Sequence, residues 1–290
     1  MEGKRMKRIA VLGSTGMAGH VVATYLSEHG YDVYRASRSE QDGAKSKRLP
    51  AGDFALLESW LDEIRPEVVI NCIGILQRQA EAKPDLAILL NSYLPHWLAN
   101  RFRDTGTKII HLSTDCVFSG KRGGYTEADE PDGATIYDRS KALGEIHNNK
   151  DLTFRMSIIG PDRHERGTGL FHWFMAQHGE TLGYTNVIWN GITTIELARA
   201  IDMAIRQDIY GLYHLTPEES IDKYHLLLLF QEAFQKMNVS IRPFDGISSD
   251  KTLINTRSDF SFEIHPYPQQ IAEMHEWIIK HQELYGERYK

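Results

Sequence analysis

The chain has 290 residues, of which 41% are hydrophobic and 25% are charged, and its formal net charge is −6. This negative charge argues against a nucleic-acid partner, because phosphate binding needs a concentrated basic surface. Two cysteines, Cys72 and Cys116, cannot build a disulfide framework and lack zinc-ligand spacing, so we expect a cytoplasmic protein without a metal. The longest apolar run, Leu226 to Phe230, is too short to span a bilayer, so no membrane insertion is expected.

Apolar runs with β-branched residues alternate with helix-length segments through the first half of the chain. The runs predicted as strands are Arg8 to Leu12, Asp32 to Ala36, Glu67 to Cys72, Thr107 to Leu112 and Leu152 to Ser157. Such alternation implies parallel strands joined by crossover helices. We therefore expect an α/β fold, a Rossmann-type doubly wound parallel sheet with a smaller mixed α/β lobe.

The segment IAVLGSTGMAGHVVATYLSEHG places three glycines directly after the first predicted strand and at the start of an amphipathic helix. Glycine allows a tight turn there and lets the backbone approach a pyrophosphate, which the helix N-terminus attracts. The turn therefore predicts a dinucleotide cofactor. Its predicted contacts are Gly13, Ser14, Thr15, Gly16, Met17 and Gly19.

The end of the second predicted strand bears on the choice between NADPH and NADH. A site selective for NAD usually carries a carboxylate here, whereas this chain has Ser37 and Arg38. A guanidinium can bind a ribose 2′-phosphate through two parallel hydrogen bonds. We therefore predict NADPH as the cofactor, with NADH as the alternative.

Tyr137 and Lys141 form a Tyr-x-x-x-Lys pattern in the segment YDRSKALGE. Their spacing places both side chains on one face of a helix. A lysine ammonium near a phenol lowers the pKa of the phenol and can also hold the ribose of a nicotinamide. Tyr137 is thus a candidate proton donor to a carbonyl that receives a hydride.

The wider pattern STDCVFSG…GYTEADEP…YDRSKALGE resembles the dTDP-4-dehydrorhamnose reductase family of the extended short-chain dehydrogenase/reductase superfamily. The spacing G-x-x-G-x-x-G of the glycine turn resembles the same superfamily. The resemblance implies NADPH-dependent reduction of a 4-keto-6-deoxy nucleotide sugar. It also implies a catalytic triad of Thr114, Tyr137 and Lys141, in which Thr114 hydrogen-bonds the reacting oxygen.

Further cofactor contacts follow from the resemblance. Asp53 and Phe54 resemble the superfamily's adenine contact, and Cys72, Ile73 and Gly74 resemble its loop after the fourth strand. The chain departs from the family pattern at two places. Asp138 stands where a small residue is common, and Cys116 stands where a tyrosine is frequent.

Cys116 leaves three activities to compare. Relatives that dehydrate nucleotide sugars carry an Asp-Glu pair here, and Cys116 replaces the glutamate, which argues against a dehydratase. In the resembling GDP-L-fucose synthases a cysteine at this offset acts in epimerisation with a histidine, for which His164 and His172 are candidates. We favour a plain reductase in which Cys116 lines the pocket. A non-enzymatic alternative is an NADP-binding regulatory subunit that resembles the β subunit of methionine adenosyltransferase.

The strand and helix rhythm loosens after Ile159. We predict an NADP-binding Rossmann domain over residues 1–158 and mainly a substrate-binding lobe over residues 159–290, with some segments returning to the first domain. The final segment YPQQIAEMHEWIIKHQ reads as an amphipathic helix that closes the lobe. The resemblance implies a nucleotide-sugar pocket here and suggests a homodimer. Candidate contacts are Ser113, Cys116, Trp173, Tyr184, Trp189, Asn190 and Arg257, with Arg163 and Arg166 as further partners for a diphosphate.

Overall fold

A seven-stranded parallel sheet forms the centre of the protein, whose computed structural model describes residues 6–50 and 52–289. In spatial order its strands are β3 (Ser46–Arg48), β2 (Asp32–Ser37), β1 (Arg8–Leu12), β4 (Val68–Asn71), β5 (Lys108–Leu112), β6 (Leu152–Arg155) and β11 (Gly211–His214). The chain builds outward from β1 to one edge and then from β4 to the other. This reversal creates a crevice at the carboxyl ends of β1 and β4, where ligands bind in such sheets. The predicted fold class is confirmed.

Alternate residues of the central strands face two separate helical layers. Ile9 and Val11 pack in one hydrophobic cluster, whereas Ala10 and Leu12 pack in the other. Strands buried on both faces need apolar residues at consecutive positions. This explains why the predicted strands are continuous apolar runs in the sequence. Against one face lie α1 (Met17–Glu28), α8 (Thr194–Gln207) and α10 (Tyr267–Lys280), and against the other lie α2 (Phe54–Ile64), α5 (Leu94–Arg101) and α6 (Ile136–Leu143).

A short helical series links β4 to α5 and approaches the crevice. It consists of α3 (Gln77–Ala82), α4 (Pro84–Ala87) and a π-helical stretch (Ile88–Tyr93). α6 packs against α3, α4 and the π-helical stretch. These contacts place α6 beside the loop that follows β4.

The second half of the chain builds three small sheets. They are β7 (Ile158–Ile159) with β10 (Ile192–Thr193), β8 (Gly179–Tyr184) with β13 (Val239–Phe244), and the three-stranded sheet of β12 (Ile221–Asp222), β9 (Val187–Trp189) and β14 (Ser249–Asp250). The remaining helices are α7 (Leu170–Met175), α9 (Lys223–Ala233) and α11 (Gln282–Tyr285).

Two segments of the second half return to the large sheet. β11 pairs with β6, and α8 packs on α1. The division of the chain at residue 158 stays a prediction, and residues 1–5 of its first part lie outside the described residues. Among the residues described, no helix combines the length and the apolar character needed to cross a membrane.

Candidate active site

The glycine turn lies between β1 and α1. Gly13 has a φ of 77°, which favours glycine, and a Cβ atom on Gly19 would lie 2.2 Å from the carbonyl oxygen of Gly13. Gly16 caps α1 without a side-chain hydrogen bond, and no acidic residue occupies the first turn of that helix. The turn thus offers a backbone cradle and a helix N-terminus without its own capping group, which fits a pyrophosphate.

The residues at the end of β2 meet the glycine turn. The Thr15 hydroxyl donates to the Ser37 hydroxyl at 2.9 Å, and the Ser14 hydroxyl donates to the Glu40 carboxylate at 2.7 Å. Arg38 is exposed, whereas Arg35 is half-buried. Burial lowers the pKa of Arg35, and nearby Glu40 raises it. The structure therefore brings one carboxylate and two arginines to the place where an adenosine ribose would lie.

The predicted adenine contacts lie beside the loop after β4. Asp53 caps α2 by accepting a hydrogen bond from the Leu56 amide at 3.0 Å. The Phe54 ring packs edge-on against Tyr93 and Trp97. The two predicted residues line a small cavity together with Leu49, Pro50, Gly52, Leu57, Ile73, Leu90 and Leu94.

The loop after β4 is fixed by Asn71. Its side-chain oxygen accepts a hydrogen bond from the Ile73 amide at 3.1 Å. A Cβ atom on Gly13 would lie 3.0 Å from the backbone of Cys72, so this loop passes directly over the glycine turn. Burial raises the pKa of the Cys72 thiol to about 12, which makes it an unreactive packing residue.

Thr114 follows β5 and begins a single helical turn, Asp115–Val117. Its hydroxyl accepts from the Cys116 amide at 3.2 Å and donates to the Asp115 carboxylate at 3.1 Å. This turn packs against α6, which brings Thr114 near Tyr137. Burial raises the pKa of Tyr137, so the phenol holds its proton in the unliganded protein.

A capping box begins α6 and orients the two residues of the Tyr-x-x-x-Lys pattern. The Thr135 hydroxyl accepts from the Asp138 amide, and the Asp138 carboxylate accepts from the Thr135 amide, both at 3.1 Å. This arrangement explains Asp138, which departs from the family pattern. The helix holds Tyr137 and Lys141 on the buried face beside β5.

Lys141 is buried against β5. Its ammonium donates to the Leu112 carbonyl at 2.6 Å, and its Nζ lies 3.5 Å from His111 Nε2. His111 Nδ1 in turn lies 3.2 Å from the side-chain nitrogen of Asn71. Burial lowers the pKa of Lys141 to about 8, while Glu145 raises it. Lys141 is thus linked through His111 to the loop after β4.

Ser113 does not point its hydroxyl at the crevice. It donates to Glu145 at 2.7 Å, and Glu145 accepts two bonds from Arg155, at 2.8 and 2.5 Å. Arg155 also lies 2.9 Å from His214 Nε2 on the edge strand. Ser113 therefore belongs to a buried network beneath the catalytic loop.

Cys116 is half-buried and packs with the hydrophobic cluster of α2 and α5. Its sulfur accepts a weak hydrogen bond from the Gln77 side chain at 3.7 Å. Burial and the neighbouring Asp115 raise the pKa of the Cys116 thiol to about 12. The two predicted histidine partners form other hydrogen bonds: His172 Nδ1 is bonded to the Tyr289 hydroxyl at 2.8 Å, and the His164 amide donates to Asp162.

The three predicted aromatic residues of the lobe have different surroundings. Trp189 is buried against Tyr267, and the Lys223 Nζ atom lies 4.3 Å from the centre of the Trp189 ring. Tyr184 packs on Phe244 in a separate small sheet, and Trp173 is 42% exposed on α7.

Two other predicted residues have structural partners. The Asn190 side chain exchanges two hydrogen bonds with the backbone of Leu253, at 2.7 and 3.0 Å. Arg257 pairs with Asp259 and donates to the carbonyls of Tyr210 and Leu212 along β11. The structure thus does not bring Arg257 to the crevice, because its guanidinium is bound to the outer edge of the sheet.

Arg163 lies on the cofactor side. Its charge acts on Arg35 and on His20 of α1, which places it near the glycine turn. Arg166 is exposed in the same loop.

Sequence reasoning missed several residues of the crevice. Five of them contact or act electrostatically on predicted site residues: Glu40, Gln77, His111, Lys223 and Lys251. For Glu40 the signal was present, because it follows the second strand by three positions. The others reach the site through tertiary contacts.

A carboxylate and histidine cluster lies away from the crevice, between α8 and α10. Within the described part of the chain, Glu196, His265 and Glu273 have ligand atoms within 4.8 Å of one another. Arg199 already donates a hydrogen bond to Glu196 at 2.5 Å, so its guanidinium compensates the charge of this buried carboxylate. The absence of a metal stays a prediction.

Comparisons with known proteins identify the family of this chain. The model described as RmlD substrate binding domain matches residues 6–252. The dTDP-4-dehydrorhamnose reductase of Salmonella typhimurium is 31% identical over 243 residues, which is 78% of each chain. Methionine adenosyltransferase 2 subunit beta of Xenopus tropicalis is 24% identical over 259 residues, 82% of this chain and 75% of that protein.

A solved structure of dTDP-4-dehydrorhamnose reductase from Bacillus anthracis, in complex with NADP, has a TM-score of 0.78 at 22% identity. The match covers 93% of this chain and 99% of that one, so the fold is shared over nearly the whole length. The family match spans both the glycine turn and the Tyr-x-x-x-Lys helix, as the sequence resemblance predicted. The chain therefore belongs to the dTDP-4-dehydrorhamnose reductase family, represented by the RmlD substrate binding domain.

Proposed function

We propose that this protein is an NADPH-dependent reductase of a nucleotide-sugar ketone. The observation that carries the proposal is the packing of α6 on the turn that Thr114 begins, which brings Thr114 near the buried Tyr137, with Lys141 one helical turn along α6. These groups stand at the carboxyl ends of the strands, beside a glycine turn that fits a dinucleotide. A ketone oxygen placed between the two hydroxyls would meet a proton donor and a second hydrogen-bond partner.

The cofactor residues would be the glycine turn, the loop after β4 and Lys141. Bound NADPH would supply the hydride that adds to the ketone carbon. Tyr137 would deliver its phenolic proton to the ketone oxygen, which becomes the product hydroxyl. Thr114 would orient that oxygen and stabilise its developing negative charge. The ammonium of Lys141 would favour the tyrosinate left behind, until solvent restores the proton.

The names of two relatives support the substrate class. The Salmonella protein and the Bacillus structure are both dTDP-4-dehydrorhamnose reductases, and the latter is bound to NADP. A 4-keto-6-deoxy nucleotide sugar is therefore the proposed substrate. Homodimer formation and a cytoplasmic location stay predictions.

Two alternatives fit the site less well. An epimerase of the GDP-L-fucose synthase type needs a thiolate at Cys116, yet burial and Asp115 favour the protonated thiol. A regulatory subunit is suggested by the Xenopus relative, but such a subunit does not require an assembled Thr114, Tyr137 and Lys141. Measured NADPH oxidation with a 4-keto-6-deoxy nucleotide sugar, set beside a pull-down for a synthetase, separates enzyme from subunit.

We expect NADPH to bind more tightly than NADH, because Arg38 can pair with the 2′-phosphate. Arg38→Ala should remove most of that difference. Glu40→Gln should act oppositely and strengthen NADPH binding several-fold, because the Glu40 carboxylate would repel a phosphate placed beside Ser14. Titration calorimetry with both cofactors measures these shifts, and equal wild-type affinities would contradict the selectivity.

Cys116→Ser should reduce a 4-keto sugar nearly as well as wild type, because a pocket-lining thiol ionises no carbon acid. In deuterated water, neither protein should then incorporate deuterium at the carbons beside the ketone. Mass spectrometry of the product decides the point. Uptake at C3 or C5 by wild type that disappears in Cys116→Ser would establish the epimerase alternative.

A further inference from the structure

The last part of the described chain, residues 282–289, returns to the helix that follows the glycine turn. The Tyr285 hydroxyl lies 2.8 Å from His20 Nε2 and 2.9 Å from Trp277 Nε1. His20 Nδ1 lies 2.9 Å from the carbonyl oxygen of Gly16, the residue that caps α1. Burial lowers the pKa of His20 to about 4, so its ring is neutral at physiological pH.

The hydrogen bonds of His20 form a chain with one consistent direction. A carbonyl oxygen only accepts, so the proton of the neutral ring is on Nδ1 and is donated to Gly16. Nε2 is therefore the acceptor for the Tyr285 hydroxyl, whose oxygen accepts from the Trp277 indole. This buried chain ties Tyr285 to the backbone of Gly16, which is a predicted cofactor contact.

Tyr289 fixes the loop of residues 160–169, which follows β7. Its hydroxyl accepts a hydrogen bond from the Asp162 amide at 2.8 Å and lies 2.8 Å from His172 Nδ1. Arg288 donates to the carbonyl oxygen of Asp162 at 2.6 Å. Two neighbouring side chains thus hold both backbone polar groups of Asp162.

The same loop reaches the glycine turn at its other end. The Asp162 carboxylate accepts hydrogen bonds from the amides of His164 and Thr168, at 2.9 and 3.2 Å, which gives the loop a fixed shape. Gly169 has a φ of 98°, and a Cβ atom there would lie 3.2 Å from the sulfur of Met17. The loop therefore closes on the first residue of α1, another predicted cofactor contact.

Arg163 directly follows Asp162 and is half-buried in this loop. Its charge acts on His20, Tyr285 and Arg35, in agreement with a position beside the start of α1. In the described part of the chain, the side chains of Arg163 and Arg35 form no hydrogen bond or ion pair. Their N–H donors are thus left for solvent or for a ligand.

The carboxylates near Arg163 have other partners or face solvent. Asp162 accepts the two amide bonds of its own loop, Glu40 accepts from a hydroxyl of the glycine turn, and Glu165 is exposed. The charges of Arg163 and Arg166 balance those of Asp162 and Glu165, so excess charge would not select the ligand. Donor geometry would, because a guanidinium matches a phosphate group through parallel hydrogen bonds.

We propose that Tyr285 and Tyr289 are positioning residues for the cofactor, which hold α1 and Arg163 in place to bind a phosphate group of the dinucleotide. The inference rests on the cofactor site of the proposed function and adds residues outside it. The phosphate is either the diphosphate bridge or the ribose 2′-phosphate. Loss of the Tyr289 hydroxyl should therefore weaken cofactor binding, while the proton donor Tyr137 stays in place.

Titration calorimetry of the full chain with NADP⁺ and NAD⁺ tests the proposal, and thermal melting without ligand measures the stability of each variant. Tyr289→Phe keeps the ring on Phe171 and removes the hydroxyl that holds Asp162. Its NADP⁺ affinity should fall about three- to tenfold, the effect of about one hydrogen bond. Tyr31→Phe is the matched control, because it removes a hydroxyl bonded to Asp202 beyond the far end of α1, and it should bind NADP⁺ like wild type.

A double-mutant cycle tests whether Tyr289 acts through the loop. Arg163→Gln should weaken NADP⁺ binding about tenfold, because it removes a charged donor to a phosphate. In the Tyr289→Phe background the same change should cost much less, because a displaced loop no longer presents the guanidinium. Losses that add fully would contradict the positioning role. A loss confined to NADP⁺ assigns Arg163 to the 2′-phosphate, and equal losses for NADP⁺ and NAD⁺ assign it to the diphosphate.

Unchanged NADP⁺ affinity of Tyr289→Phe or of Arg163→Gln overturns the inference and leaves the proposed function standing. Equal losses for Tyr289→Phe and Tyr31→Phe also overturn it, because they indicate general destabilisation. Arg288→Met, which removes the second hydrogen bond to Asp162, should show the same loss and replaces Tyr289→Phe if that variant does not fold. If wild type binds neither NADP⁺ nor NAD⁺, the cofactor site of the proposed function and the inference fail together.

Discussion

Tyr137→Phe should lose most of its turnover while it keeps its affinity for NADPH. The phenyl ring preserves the packing of the buried side chain, and only the hydroxyl near Thr114 disappears. Loss of a positioned proton donor lowers kcat by about 10²- to 10⁴-fold. Steady-state kinetics with a 4-keto-6-deoxy nucleotide sugar, together with calorimetric NADPH binding, measures the two effects separately.

Tyr25→Phe is a useful control for that experiment. Tyr25 lies on α1 and stacks on His29, away from the catalytic helix, so its hydroxyl should not affect turnover. Turnover of Tyr137→Phe within a few-fold of wild type would refute the assignment of Tyr137 as the proton donor.

Glu145→Gln should destabilise the protein strongly. Arg155 is 1% exposed and Glu145 is 3% exposed, and two hydrogen bonds join them. Ser113 donates a further hydrogen bond to Glu145, so the buried pair supports the loop that holds the neighbouring Thr114. Removing one charge of a buried pair leaves the other uncompensated and costs about 3–5 kcal/mol. Urea unfolding followed by fluorescence or circular dichroism gives the change in the free energy of unfolding.

Glu58→Gln provides the matched comparison. Glu58 pairs with Arg101 at 2.7 Å, but its side chain is 52% exposed, so the loss should be about 0–1 kcal/mol. Equal unfolding free energies for Glu145→Gln and Glu58→Gln would contradict the structural role of the buried pair.

The sequence predicted the buried strands well because each needed a continuous apolar run. Arg8–Leu12 was predicted with its observed bounds, and the other four predicted strands differ by one or two residues at their ends. The strand Ser46–Arg48 was missed because its polar edge position requires no apolar pattern. Gly211–His214 was missed because its place depends on pairing with Leu152–Arg155, far away in the sequence.

The residues of the candidate site also divide into those that local sequence patterns predict and those that they do not. The glycine turn and the pair of Tyr137 and Lys141 were predictable because local geometry alone places them. Lys223 could not be predicted as a site residue. It comes near Asp115 only through the small sheet of β12, β9 and β14, whose strands are far apart in the sequence. The same limitation explains Arg257, whose partners on the edge strand no local pattern reveals.

Transfer of deuterium from NADPH labelled at the nicotinamide C4 is the most direct test of the central claim. Wild type, incubated with a 4-keto-6-deoxy nucleotide sugar and each C4 epimer of the labelled cofactor, should place one deuterium on the sugar C4 from one epimer only. Tyr137→Phe should form the same product far more slowly. Wild-type protein that binds NADPH yet transfers no deuterium to any such sugar would contradict the reductase and favour a non-catalytic, NADP-binding role.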